Sequence, residues 1–143
     1  MKNRFLVLGA AILLMTSVCF SQAGNKATEQ LATKISRAFL NKRFAPIDSI
    51  RPRTGQIKFV VEHSLSGAKD SKSFTSMKLA GDWLFRRRSE VGVNAGDLTR
   101  CLNGTCTFQM NGLLHNNLYL KKLTYGFSNG KPFVKTVYFV DGD

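Results

Sequence analysis

The chain has 143 residues, 21 lysines and arginines against 9 aspartates and glutamates, and a formal net charge of +12. With 43% hydrophobic and 21% charged residues it has the material for a packed core, which excludes a disordered chain, and three prolines with twelve glycines exclude collagen-like or proline-rich low complexity. Three cysteines and two histidines leave little room for a closed four-ligand zinc site, and no metal or cofactor is expected.

Residues 1–23 read as a cleavable secretory signal peptide. Met1-Lys2-Asn3-Arg4 is a short cationic start, 5–15 is an unbroken apolar run, and Ser21-Gln22-Ala23 puts small residues at positions −3 and −1 of a cleavage site before Gly24. Thr16 and Ser17 end the run well short of the roughly 18 apolar residues a membrane-spanning helix needs. Cys19 follows Val18, not the small residue of a bacterial lipobox. Cleavage removes Lys2, Arg4 and Cys19, so the charge falls by two from +12 to +10 and the odd cysteine disappears. The expectation is a single globular domain over 24–143, exported to a periplasmic or extracellular space.

In that oxidising setting Cys101 and Cys106 are expected to form a disulfide. They bracket Leu102-Asn103-Gly104-Thr105, and Asn-Gly is the strongest two-residue hairpin signal because a type I′ turn needs φ > 0 at both central positions. Leu102 then opposes Thr105, and Cys101 opposes Cys106 as a non-hydrogen-bonded pair with Cα atoms about 4.5 Å apart.

The remaining elements follow in chain order. Over 25–44, Ala27, Leu31, Ile35, Ala38 and Phe39 fall on one side while Lys26, Glu29, Thr33, Lys34 and Arg37 populate the other, which predicts an amphipathic helix stopped before Pro46. Residues 47–54 are a connector. Beyond Gly55 the period changes to two: Ile57, Phe59, Val61, His63 and Leu65 alternate with polar residues, which predicts a half-buried strand. Residues 66–70 read as its turn, 73–79 and 82–88 as two further strands, and 89–97 as a loop. The disulfide hairpin leads into 107–114, and His115-Asn116-Asn117 reads as a turn into 118–127.

Asn129-Gly130 centres the last hairpin. A two-residue turn sets Ser128 opposite Lys131, Tyr125 opposite Val134, Leu123 opposite Thr136 and Tyr119 opposite Val140. Regular alternation then collects Tyr119, Leu123, Tyr125, Phe127, Val134, Tyr138 and Val140 on one face, and Leu118, Leu120, Phe133, Val137 and Phe139 with Lys122, Thr124 and Lys135 on the other.

The predicted fold class is α+β: an N-terminal helix packed on a curved antiparallel sheet of five or six strands. In element order this resembles, in outline, the cystatin-like and NTF2-like rolls. The disulfide-closed loop Cys101–Cys106 is similar to that of one type of periplasmic lysozyme inhibitor. It departs from that type in carrying Leu-Asn-Gly-Thr, without the histidine those inhibitors present. A strongly basic chain would also repel cationic lysozymes.

Among candidate functional groups, the basic clusters carry most weight. Arg51 and Arg53, Arg86, Arg87 and Arg88, and Lys121 and Lys122 are candidate binding residues for an anionic polymer or an acidic protein. On a strand, Arg86 and Arg88 would point away from Arg87, which divides that cluster between two faces. If about five cations neutralise duplex phosphates, affinity should fall roughly 10²–10³-fold between about 50 and 200 mM salt. His63 and His115 with a lysine are the candidates for a ribonuclease-like acid–base pair. No G-x-S-x-G, H-E-x-x-H, phosphate loop or EF-hand loop occurs. The expected function is that of a small basic binding or accessory domain without catalysis, taking anionic envelope components or an acidic partner; the alternative is a secreted phosphodiesterase using His63 and His115.

Overall fold

The first helix owes its place to a narrow apolar stripe. In a computed structural model that describes residues 25–43, 55–86, 92–110, 112 and 117–142, helix α1 covers 25–40 and buries Thr28, Ala32, Ile35, Ala38 and Phe39. Its polar side faces outward. It ends in a Schellman motif: Lys42 takes φ 51°, its N–H donates to the Phe39 carbonyl at 3.1 Å, and the Arg43 N–H donates to the Ala38 carbonyl at 2.8 Å. Residues 1–23, expected as a signal peptide, Arg51 and Arg53 of the expected connector, the Arg87-Arg88 pair and His115 lie outside the described residues. Among the described residues no helix is long and apolar enough to cross a membrane.

Strand β1 (Ile57–His63) turns back into β2 (Lys69–Phe74) through Gly67 at φ 66°. Helix α2 (Met77–Arg86) follows, then β3 (Gly92–Asn94), the hairpin of β4 (Leu98–Leu102) and β5 (Thr105–Phe108), and the long hairpin of β6 (Asn117–Ser128) and β7 (Lys131–Gly142). The sheet runs β2-β1-β7-β6-β5-β4, with β3 beside β6. The α+β class stands, with α1 on one face of the sheet.

Three sequence expectations need correction. Residues 82–88 were expected to continue as a strand; 77–86 are helical instead, and the strand expected over 73–79 is the end of β2 followed by the start of α2. Tryptophan and phenylalanine favour strands, but Met77, Ala80, Gly81 and Leu84 bury one face at helical spacing. Ser76 caps the helix, its Oγ accepting from the Leu79 N–H at 3.2 Å. A helical period plus an N-cap serine was the available signal. Second, the sheet has seven strands and is mixed: β1 runs parallel to β7 and β3 parallel to β6. A parallel pair between the first strand and the last is a long-range contact that no local motif marks.

The third correction concerns the faces of the last hairpin. Its turn forms as expected, with Asn129 at φ 50° and Gly130 at φ 73°, and Ser128, Tyr125 and Tyr119 pair with Lys131, Val134 and Val140. Between them Leu123 pairs with Val137, not Thr136, because the register shifts once between Thr124 and Tyr125 and back between Leu120 and Lys122. Each shift leaves one lysine without an opposite residue, Lys135 on β7 and Lys121 on β6. The core face is therefore spliced from both predicted faces: Leu118 and Leu120 join Leu123 and Tyr125, and Val137 and Phe139 join Val134. Regular alternation would turn Leu118, Leu120, Val137 and Phe139 outward at about 1.5–3 kcal/mol each. Two interrupted ladder positions cost about 1 kcal/mol apiece. The bulges win.

The core lies between α1, α2 and this face. Phe39 meets Phe139 edge-on with ring centroids 5.1 Å apart, Phe59 lies 5.7 Å from Phe74, and Phe74 lies 5.5 Å from Trp83, which ties both helices to β1, β2 and β7. Cys101 and Cys106 pair across the β4–β5 turn as expected, with Asn103 at φ 48° and Gly104 at φ 75°. Their sulfurs are 1.98 Å apart, at bonding distance, and the Cα atoms 4.0 Å apart. Both face the core, and Cys106 Sγ lies 3.9 Å from the Thr28 carbonyl of α1.

Candidate functional site: a cationic groove on the first helix

The outward side of α1 is built by the same periodicity that buries its inner side. Lys26, Gln30, Thr33, Lys34, Arg37 and Asn41 recur at i+3, i+4 and i+7 spacing, opposite Ala32, Ile35 and Phe39. They form a stripe about 22 Å long at the helical rise. The stripe lines a groove of about 650 Å³, and the described residues around it include Lys26, Lys34, Arg37 and Arg43 against the single carboxylate of Glu29. Arg43 reaches this side because the left-handed Lys42 folds the chain back across the helix end. The sequence pattern placed Lys26, Lys34 and Arg37 on a solvated helix side; the left-handed cap at Lys42 adds Arg43 to them.

Of the expected binding residues, Arg86, Lys121 and Lys122 are described. Arg86 closes α2 and lies beside Trp83 at the β2 edge of the sheet. Lys121 and Lys122 are successive residues yet share the outer face of the sheet, because the β6 bulge cancels one alternation. The Lys121 ammonium donates to a Glu62 carboxylate oxygen at 3.3 Å, and Lys122 Nζ stands 4.6 Å from the Tyr138 ring centroid. Cross-strand register places Arg100, Thr107, Lys122 and Tyr138 in one row on this face. No single patch gathers Arg86 with Lys121 and Lys122. On the outer face Val60, Tyr119 and Val140 are buried, and lysine and threonine dominate the rest.

His63 ends β1 on the core side of the sheet. Its Nε2 lies 3.2 Å from Asp70 on β2, and its Nδ1 lies 3.3 Å from Asp141 on β7, which is buried. The contact with Asp141 follows from the parallel pairing that sets residue 63 beside residue 141. Carboxylates stand opposite both ring nitrogens, so that His63 links β1 to both of its neighbours, β2 and β7. Among the described residues no group of three or more His, Cys, Asp or Glu side chains is arranged to hold a metal ion.

No family model, curated protein or solved structure matches the chain.

Proposed function

We propose that this protein is a binding domain without catalysis that takes linear anionic polymers along α1. The observation that carries this reading is the groove in which Lys26, Lys34, Arg37 and Arg43 outnumber Glu29. Ammonium and guanidinium groups spread along the length of one helix side suit a chain of repeated phosphates or carboxylates. Gln30, Thr33 and Asn41 add neutral hydrogen-bonding groups to the same wall. The net charge of +10 that remains once residues 1–23 are removed favours encounter with any polyanion at a distance, and the groove adds a place for it to settle.

The reading includes a signal peptide over 1–23, a single domain over 24–143 and a periplasmic or extracellular location, where acidic envelope polymers are the natural class of partner. It also takes the curved sheet as a roll, cystatin-like or NTF2-like in outline, with α1 held against its concave side.

A labelled DNA duplex serves as a phosphate polymer of known charge spacing. Four neutralised phosphates give a slope of about −3.6 in log affinity against log salt, so binding should weaken about 150-fold between about 50 and 200 mM. Affinity independent of salt over that range would overturn the proposal. Turnover of RNA that disappears on His63→Ala would replace it with the phosphodiesterase reading.

A further inference from the structure

We propose that the cleft between β2 and α2 is a second, separate site that binds a small amphiphilic anion, an alkyl or aromatic body ending in one carboxylate. The cleft has a volume of about 440 Å³, within the range of small-molecule sites, and is lined by Lys72, Phe74, Leu79, Asp82, Trp83 and Arg86. Among the described residues it shares no lining residue with the groove on α1.

Its floor is aromatic. The Phe74 and Trp83 rings lie 5.5 Å apart at 49°, forming a trough, and Leu79, 52% exposed, makes an apolar wall. Trp83 is only half-buried, so a large apolar surface faces the cleft on a sheet edge that is otherwise charged. A body that covers Trp83 and Leu79 removes that surface from water.

The rim selects the charge. Lys72 stands on the β2 side, its Nζ 5.7 Å from the Phe74 ring centroid. Arg86 stands on the α2 side, three residues beyond Trp83 and therefore on the same helical face. Among the described lining residues Asp82 is the single acid, and among the described residues no ion pair engages Asp82 or Arg86. Two cations on facing walls against one carboxylate leave the rim with one positive charge to be matched. A single anionic head between Lys72 and Arg86 matches it, and a planar carboxylate suits the guanidinium fork.

Trp83 is the only tryptophan in the chain, so its emission reports this cleft alone. The full chain is titrated with decanoate below its micellar range, with decanol as the uncharged body and acetate as the head without a body. The expected result is a saturable change in emission with decanoate, at least 10-fold weaker binding of decanol, and no response to acetate. Arg86→Gln and Lys72→Gln should each weaken decanoate about 10-fold and leave decanol unchanged, while Asp82→Asn should tighten decanoate. Lys34→Ala with Arg37→Ala should leave the response intact, which separates this site from the groove on α1. Equal affinity for decanoate and decanol, an unaltered response in Arg86→Gln, or emission that shifts with protein concentration alone, as when a second copy fills the cleft, would overturn the proposal.

Discussion

Replacing Lys34 and Arg37 by alanine removes half the cations of the α1 groove without touching its packed side, since both are exposed. Each phosphate neutralised contributes about 0.9 to the salt slope on duplex DNA, so the slope should change from about −3.6 to about −1.8. Between about 50 and 200 mM salt the parent should lose affinity about 150-fold and the double variant only about 12-fold. If the two proteins converge near 1 M salt, where counterion release vanishes, the variant should bind about 60-fold more weakly at about 100 mM. Fluorescence anisotropy of a labelled duplex at four or five salt concentrations measures both slopes, and thermal melting checks that the fold is unchanged. Lys58→Ala with Arg100→Ala is the control: both are exposed on the outer face of the sheet, away from α1, and together remove the same charge. A parent-like slope in the Lys34/Arg37 variant, or an equal loss in the control, would refute a groove-centred site and leave only diffuse attraction.

Other predictions concern the fold that holds the groove. A β-carbon on Gly96 would run into the Gln109 carbonyl, in a segment where the Gln109 N–H donates to the Asp97 carbonyl at 2.9 Å. Gly96→Ala should therefore cost about 2 kcal/mol or more by denaturant melting, against about 1 kcal/mol for Gly67→Ala, where space is open and only the φ of +66° resists. Full reduction of Cys101–Cys106 releases a closed loop of sequence separation 5. It should cost about 2 kcal/mol and lower the melting temperature by about 5–10 °C; an unchanged melt after verified reduction would count against the loop-entropy reasoning. Ser76→Ala removes the cap of α2 and should cost about 1 kcal/mol, with Ser76→Asp retaining most of the stability.

Local chemistry made some elements readable in advance. The Asn-Gly dipeptides at 103–104 and 129–130 announced two hairpins because few residues other than asparagine and glycine sit at positive φ without cost, and each turn set the pairs that follow it, Cys101 with Cys106 and Tyr125 with Val134 among them. The apolar stripe of α1 and the alternation of β1 were legible for the same reason. Helix α2 was misread because Trp83, Leu84 and Phe85 form an apolar run that fits either period over so short a stretch. Of the candidate site, three cations of the groove stood in the pattern of α1 and Arg43 joins them through the cap at Lys42, which no glycine or asparagine at that position announced, while nothing local said that Arg86 would meet Phe74 and Trp83 across a cleft.

The bulges at Lys121 and Lys135 mark the boundary most clearly. A strand's alternation is a local property, and it predicts two half-apolar faces for the last hairpin; the choice among registers belongs to the whole core, which gains more from Leu118, Leu120, Val137 and Phe139 than two ladder positions lose. The parallel contact of β1 with β7, and with it the seating of His63 against Asp141, likewise joins residues whose sequence neighbourhoods carry no trace of each other. What the sequence alone determined is what neighbours determine: turns, the stripe of α1, the disulfide and a strong positive charge. Where Lys72 and Arg86 meet an aromatic floor was decided only by tertiary packing, because such a juxtaposition arises between elements and not within them.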